Sequence, residues 1–165
     1  MTHFPVALLR RLLVALAIVA VTMAAALAQG GGATMRLEDV PWPSAQAGGA
    51  GTSGAGGIET VVLKGDPTKA GLYTLMLRVA GNVRIQAHSH RDDRVATVVR
   101  GTWYFGYGET FNEAALQALG PGSFYTEPPN VPHFAMTKEQ VILQITGVGP
   151  TSTAYVDPKN DPTKK

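Results

Sequence analysis

The chain has 165 residues, one domain's worth, with 19 Gly and 11 Pro but only 16% charged residues. That balance favours many short strands and turns over long helices. It has no cysteine, which excludes disulfides, thiolate metal ligands and a cysteine nucleophile. Of its 14 Lys and Arg, Arg10 and Arg11 fall in an N-terminal leader, so the remaining 12 balance the 12 Asp and Glu. The calculated isoelectric point near 9 therefore makes no case for nucleic acid or an anionic surface as partner.

Residues 1–28 read as a secretory signal peptide: two arginines, an uncharged apolar stretch at 12–25, then Ala26-Leu27-Ala28 with small residues where a signal peptidase reads. Cleavage would leave Gln29 first, and the mature protein is expected to be periplasmic or secreted, with no membrane association. The competing reading is an uncleaved anchor, since the apolar run of about 17 residues sits at the short edge of a spanning helix. Residues 29–57 form an N-terminal arm. Within it 35–42 is expected to be a short edge strand with Trp42 as an apolar plug, and 47–57, with six glycines, a flexible linker. These glycines are not a phosphate cradle, because no Lys-Ser or Lys-Thr follows them.

The folded body is expected over 58–156. Strands are predicted at 59–64, 72–79, 83–88, 95–100, 102–107, 123–126, 133–137, 141–147 and 152–156, separated by Gly, Pro and Asn turn signals. Only 112–119 reads as helical. Many short strands at turn spacing mean an all-β sandwich or barrel, and a barrel encloses a cavity. The tail 157–165 is polar and expected to fray.

Of four histidines, His3 lies in the leader, so all those of the mature protein are His88, His90 and His133. On a strand, His88 and His90 point to one face, roughly 7 Å apart. Imidazole is the commonest ligand for divalent first-row metals. The strand's alternation would add Arg84 and Gln86 to that face, although an exposed arginine at a strand end is ordinary. Tyr104, Tyr107, Tyr125, Phe134 and Met136 read as core or as an apolar pocket wall. Gln144, polar within an apolar strand, would orient a metal-bound water or a histidine if it faces inward, and means nothing if it faces outward. Glu109 and Glu113 read as solvated.

Gly81, His88-Ser89-His90, Arg94 and Gly101 resemble the first motif of the cupins, which is Gly, His-x-His, Glu, Gly. Gly122, Pro128-Pro129-Asn130 and His133 resemble the second, with Asn130 where the family usually has Gly and Thr137 where it often has Asn. The resemblance covers 58–156. It implies a double-stranded β-helix, the cupin or jelly-roll barrel, with one divalent transition metal (Fe, Mn, Zn or Ni) on His88, His90 and His133, in a family that often dimerises. Arg94 stands where the family has its ligand glutamate, and a guanidinium cannot bind a metal. Three readings stay open. Three imidazoles alone hold the ion; or Asp92 or Asp93 supplies a carboxylate; or the metal is lost and Arg94 pairs with an aspartate. Arg94 could also hold a substrate carboxylate over the ion. Function then divides between an enzyme acting on a small molecule, as a dioxygenase, lyase or isomerase with Arg94 and Gln144 as catalytic candidates, and a non-catalytic periplasmic barrel that binds or senses a small ligand.

Overall fold

The computed structural model describes residues 32–43 and 49–164; the leader, its cleavage point and positions 44–48 lie outside the described residues. The chain divides into two units, Met1–Asp39 and Val40–Lys165. In the first, Leu37–Asp39 is a single 3-10 turn, not the expected edge strand. Arg36 Nε donates to Asp39 Oδ2 at 2.6 Å, a local bond that favours the turn.

The second unit is built from β1 (Ile58–Lys64), β2 (Gly71–Val79), β3 (Arg84–His90), β4 (Arg94–Arg100), β5 (Trp103–Tyr107), β6 (Gln117–Leu119), β7 (Phe124–Glu127), β8 (His133–Met136), β9 (Val141–Gly149) and β10 (Thr153–Tyr155). They form two five-stranded antiparallel sheets, in the orders β1-β2-β9-β4-β7 and β10-β3-β8-β5-β6. This is the jelly-roll arrangement of an all-β fold. Each of the nine predicted strands is present, with boundaries within two residues. The expected helix is not. Glu113–Ala115 makes one 3-10 turn capped by Asn112, whose side chain accepts from the Ala114 N–H, and Gln117–Leu119 pairs with β5 as β6. An edge pairing there captures backbone groups that two isolated helical turns would leave weakly bonded.

Inward residues of the two sheets make one core. Tyr73, Leu75, Val79, Val98, Val141 and Leu143 are each 1% exposed or less, and each aliphatic side chain among them contributes about 1.5–3 kcal/mol by leaving water. Alternation on β9 places Leu143 and Ile145 in the core and exposes Gln144. Gln144 is thus on the outer face, and it has no access to the interior site. Trp42 is half-buried beneath the Arg78 guanidinium, 4.7 Å from its ring centroid, where stacking replaces the expected plug.

Among the described residues, two segments expected to be loose are ordered. Gly51, Thr52 and Ser53 are buried, and their carbonyls accept from Arg94 Nη1 at 2.6 Å, Thr153 Oγ1 at 2.8 Å and Tyr155 OH at 2.7 Å. Glycine composition signals flexibility only while the backbone carbonyls lack partners. The tail forms two 3-10 turns, Pro158–Asn160 and Pro162–Lys164, seeded by Asp157 and Asp161 capping bonds. Among the described residues, no helix is long and apolar enough to cross a membrane.

Candidate metal centre

His88 and His90 come from β3 and His133 from β8, where His133 lies directly opposite His88. A β-bulge shapes this wall. Ile85 pairs with Ala135 and His88 with His133, so β3 spends three steps where β8 spends two. The extra residue inverts the alternation, leaving Ile85, His88 and His90 inside and Arg84 and Gln86 outside. Arg84, expected on the histidine face, lies instead over the Phe111 ring at 3.7 Å. Simple alternation gave the wrong face because it cannot foresee a bulge.

One ring nitrogen from each of the three histidines lies within 4.8 Å of the other two, and all three side chains are buried. The backbone decides which nitrogens converge. Nδ1 of His88 contacts the Gln86 carbonyl at 2.8 Å, that of His133 the Val131 carbonyl at 3.0 Å, and that of His90 the Ser152 carbonyl at 3.1 Å. A carbonyl only accepts, so each Nδ1 carries its proton and donates. Each neutral ring therefore keeps its lone pair on Nε2. Burial, then the neighbouring His133 charge, pushes His88 down to about 3. Burial followed by Arg94 drives His90 well below its usual value, and burial lowers His133 against the pull of Glu127. Three neutral imidazoles with Nδ1 committed to donation form a ready donor set for a divalent first-row ion.

The facing wall carries a full ion pair. Arg94 opens β4 and sits directly opposite Glu127, the last residue of β7. Their side chains pair through Nη2 and Oε2, at 1% and 6% exposure. Room for the guanidinium stem comes from Gly147, where a Cβ would lie 2.9 Å from Arg94 Cγ and 2.6 Å from the Tyr73 hydroxyl. Burial raises the Glu127 carboxyl, but Arg94 and the neighbouring histidines outweigh it and hold it below its usual value. Burial likewise lowers Arg94, and Glu127, Tyr73 and Asp92 together more than reverse this. Glu127 Oε2 also lies 3.7 Å from the Nε2 of both His90 and His133.

These contacts settle the aspartates. Asp92 is buried but held by Tyr73 OH at 2.5 Å and Thr151 Oγ1 at 2.7 Å, and Asp93 is exposed. Neither faces the histidines as a ligand, and the ionic partner of Arg94 is Glu127. With Nη1 on the Gly51 carbonyl and Nη2 on Glu127, the Arg94 fork is engaged within the protein. It does not stand free to receive a substrate carboxylate. Glu127 is the residue that sequence reasoning missed, because the predicted strand stopped at Thr126. A signal existed: Tyr125 is inward on β7, so a strand one residue longer turns Glu127 inward too.

The histidines, Arg94, Glu127 and residues 51–53 line a cavity of about 30 Å³ whose remaining wall is apolar, including Phe105, Tyr125 and Leu143. That volume suits an ion with one or two waters. Of the aromatic candidates, Tyr125 lines the cavity and Phe134 packs beside Phe111. Tyr107 is exposed with its hydroxyl on the Thr126 carbonyl, Tyr104 lies beneath Lys138, and Met136 is half-buried. Glu109 and Glu113 are exposed. Asn130, standing for the motif glycine, adopts φ 61° and donates its N–H to the His90 carbonyl at 2.6 Å. Asparagine is among the few side chains at home in that region. Thr137, standing for the motif asparagine, donates to the Ala80 carbonyl and accepts from the Val83 N–H.

No protein-family model matches the chain, and no curated protein matches it. Solved structures do. The chain is similar to the polyketide cyclase RemF from Streptomyces resistomycificus, with a TM-score of 0.63 and 16% identity over 81% of this chain and 92% of that one. It is similar to an RmlC-like cupin from Shewanella frigidimarina, with a TM-score of 0.53 and 18% identity over 72% and 91%. A salicylate 1,2-dioxygenase from Pseudoaminobacter salicylatoxidans, in complex with gentisate, matches at a TM-score of 0.50 and 15% identity. This chain covers only 29% of that enzyme, through 61% of its own length. These likenesses show a cupin-type fold.

Proposed function

We propose that the protein is a periplasmic or secreted metal-dependent enzyme of cupin fold, acting on a small molecule at a divalent ion held by His88, His90 and His133. The observation that carries this reading is the convergence of three buried imidazoles, each with Nδ1 on a backbone carbonyl. The donor set fits the ion: His133 Nε2 is buried without a hydrogen-bond partner, and a buried lone pair with nothing to accept asks for a cation. A bound ion would act as a Lewis acid or an oxygen activator, with iron or manganese suiting dioxygenase chemistry and zinc or nickel suiting lyase or isomerase chemistry.

The chain's own residues do the rest. Gln86, Val131 and Ser152 carbonyls orient the rings, and Tyr155 stacks on His88 with ring centroids 5.3 Å apart. Phe105 and Tyr125 exclude water from the apolar side of the cavity. Gln144 has no part, being outside the barrel. Arg94 acts as a structural cation rather than a catalytic one. A second reading, a non-catalytic barrel that binds or senses a small ligand or the metal itself, is favoured by the cavity of about 30 Å³, which leaves little room for substrate beside an ion.

Elemental analysis of protein purified without chelator tests the proposal. About one equivalent of iron or manganese, with oxygen uptake on a panel of small aromatic and carboxylate substrates, supports the dioxygenase form; zinc or nickel moves the screen to lyases and isomerases. Metal bound without turnover across both panels would favour the sensing barrel. No metal, and none taken up on titration, overturns both metal readings.

A further inference from the structure

The usual cupin glutamate is absent from β4, yet a buried carboxylate faces the histidines from the next strand. Glu127 is the cross-strand partner of Arg94, so the charge pattern is that of a carboxylate moved one strand across with a cation left in its former place. Two acceptors point at one spot: Glu127 Oε2, held from behind by Arg94 Nη2, and His133 Nε2, buried without a hydrogen-bond partner, lie 3.7 Å apart. The same oxygen stands 3.7 Å from His90 Nε2. Lone pairs facing each other at that distance repel, and a cation between them would satisfy both. An ion with bonds of about 2.0–2.2 Å and tetrahedral geometry spaces its ligands roughly 3.3–3.6 Å apart, so the two 3.7 Å separations of Glu127 Oε2 from the rings need a shift of a few tenths of an ångström.

We infer that Glu127 is the fourth protein ligand of the ion held by His88, His90 and His133, and that Arg94 is a positioning residue that holds this carboxylate towards the histidines. The inference rests on the metal-binding reading above. It gives the departure at position 94 a physical sense. A lone guanidinium beside a divalent ion is repulsive, whereas one clamped to a ligating carboxylate is partly neutralised and keeps that carboxylate from turning away. Gly51, whose carbonyl takes the other arm of Arg94, ties residues 51–53 to the same clamp.

Cobalt(II) titration of the mature protein, followed by the visible cobalt bands and by thermal unfolding, provides the test. Glu127→Gln keeps the shape but removes the charge, and should weaken cobalt binding by about tenfold or more and alter the bands. Arg94→Met frees the carboxylate to turn away, so it should also weaken cobalt binding and shift the bands, by less than Glu127→Gln because the ligand itself remains. A purely structural pair would make both variants unstable without separating their affinities. Since Glu127→Gln leaves Arg94 buried and unpaired, the double variant Arg94→Met/Glu127→Gln removes both charges and should fold while binding weakly. Wild-type affinity and unchanged bands in Glu127→Gln or in the double variant would overturn the inference and leave the three-histidine site standing. Failure of the wild type to take up cobalt would overturn both.

Discussion

The two walls of the cavity solve opposite electrostatic problems. On the sheet β10-β3-β8, three titratable rings are kept neutral, each with Nδ1 donating to a main-chain carbonyl and the whole group stripped of water. On the sheet carrying β4 and β7, Arg94 and Glu127 stay fully charged and are stabilised by each other. The first wall uses backbone geometry to aim lone pairs, and the second uses a cross-strand pair to hold a carboxylate. A neutral wall can be altered one ring at a time at the cost of donor atoms, but a charged wall altered at one partner leaves an uncompensated buried ion.

That contrast orders the expected effects. Replacing a ring should abolish function without abolishing the fold: His88→Ala and His133→Ala are each expected to lose most bound metal, with strand content by circular dichroism unchanged. Full metal occupancy in either variant would dissolve the distinction between the walls. Breaking the charged wall should instead strike stability, because Arg94→Ala leaves Glu127 buried alone. We expect a loss of about 3–5 kcal/mol in urea unfolding, and a loss under 1 kcal/mol would show that Glu127 escapes to water.

The neutral wall also sets the response to acid. His88 titrates at about 3 in the folded state, against about 6.5 when exposed, so between those values the unfolded chain binds more protons. Stability of the metal-free protein should therefore be fully present above about pH 6.5 and decline as the pH falls towards 3. A flat profile across that window would mean the rings are open to water. Smaller still, Asn130→Ala should cost about 1 kcal/mol by forcing a Cβ without polar compensation into positive φ, while Asn130→Gly should be close to neutral. Gln144→Ala, on the outside of β9, should leave both metal content and stability within about 0.5 kcal/mol of the parent.

Much of the histidine wall was legible in sequence, and little of the charged one. His88 and His90 share a face because strands alternate, and the apolar runs around Leu77, Val98 and Leu143 announce the core. Turn chemistry marked the strand boundaries well. What failed had local physical causes. The bulge on β3 moved Arg84 and Gln86 outward, an edge pairing converted 117–119 from helix to strand, and hydrogen bonds to three carbonyls ordered a glycine-rich segment. Glu127 lies 33 positions after Arg94, and only the pairing of β4 with β7 makes them neighbours. Long-range register of that kind leaves no periodic trace in one sequence. It did leave a clue, an arginine standing where the resembled motif has its ligand carboxylate.

X-ray absorption at the metal edge of the metal-loaded protein tests the central claim most directly, since multiple scattering from imidazole counts the coordinated rings. The account predicts three imidazoles on one ion. Fewer than two, or scattering from light atoms with no imidazole signature, would contradict it.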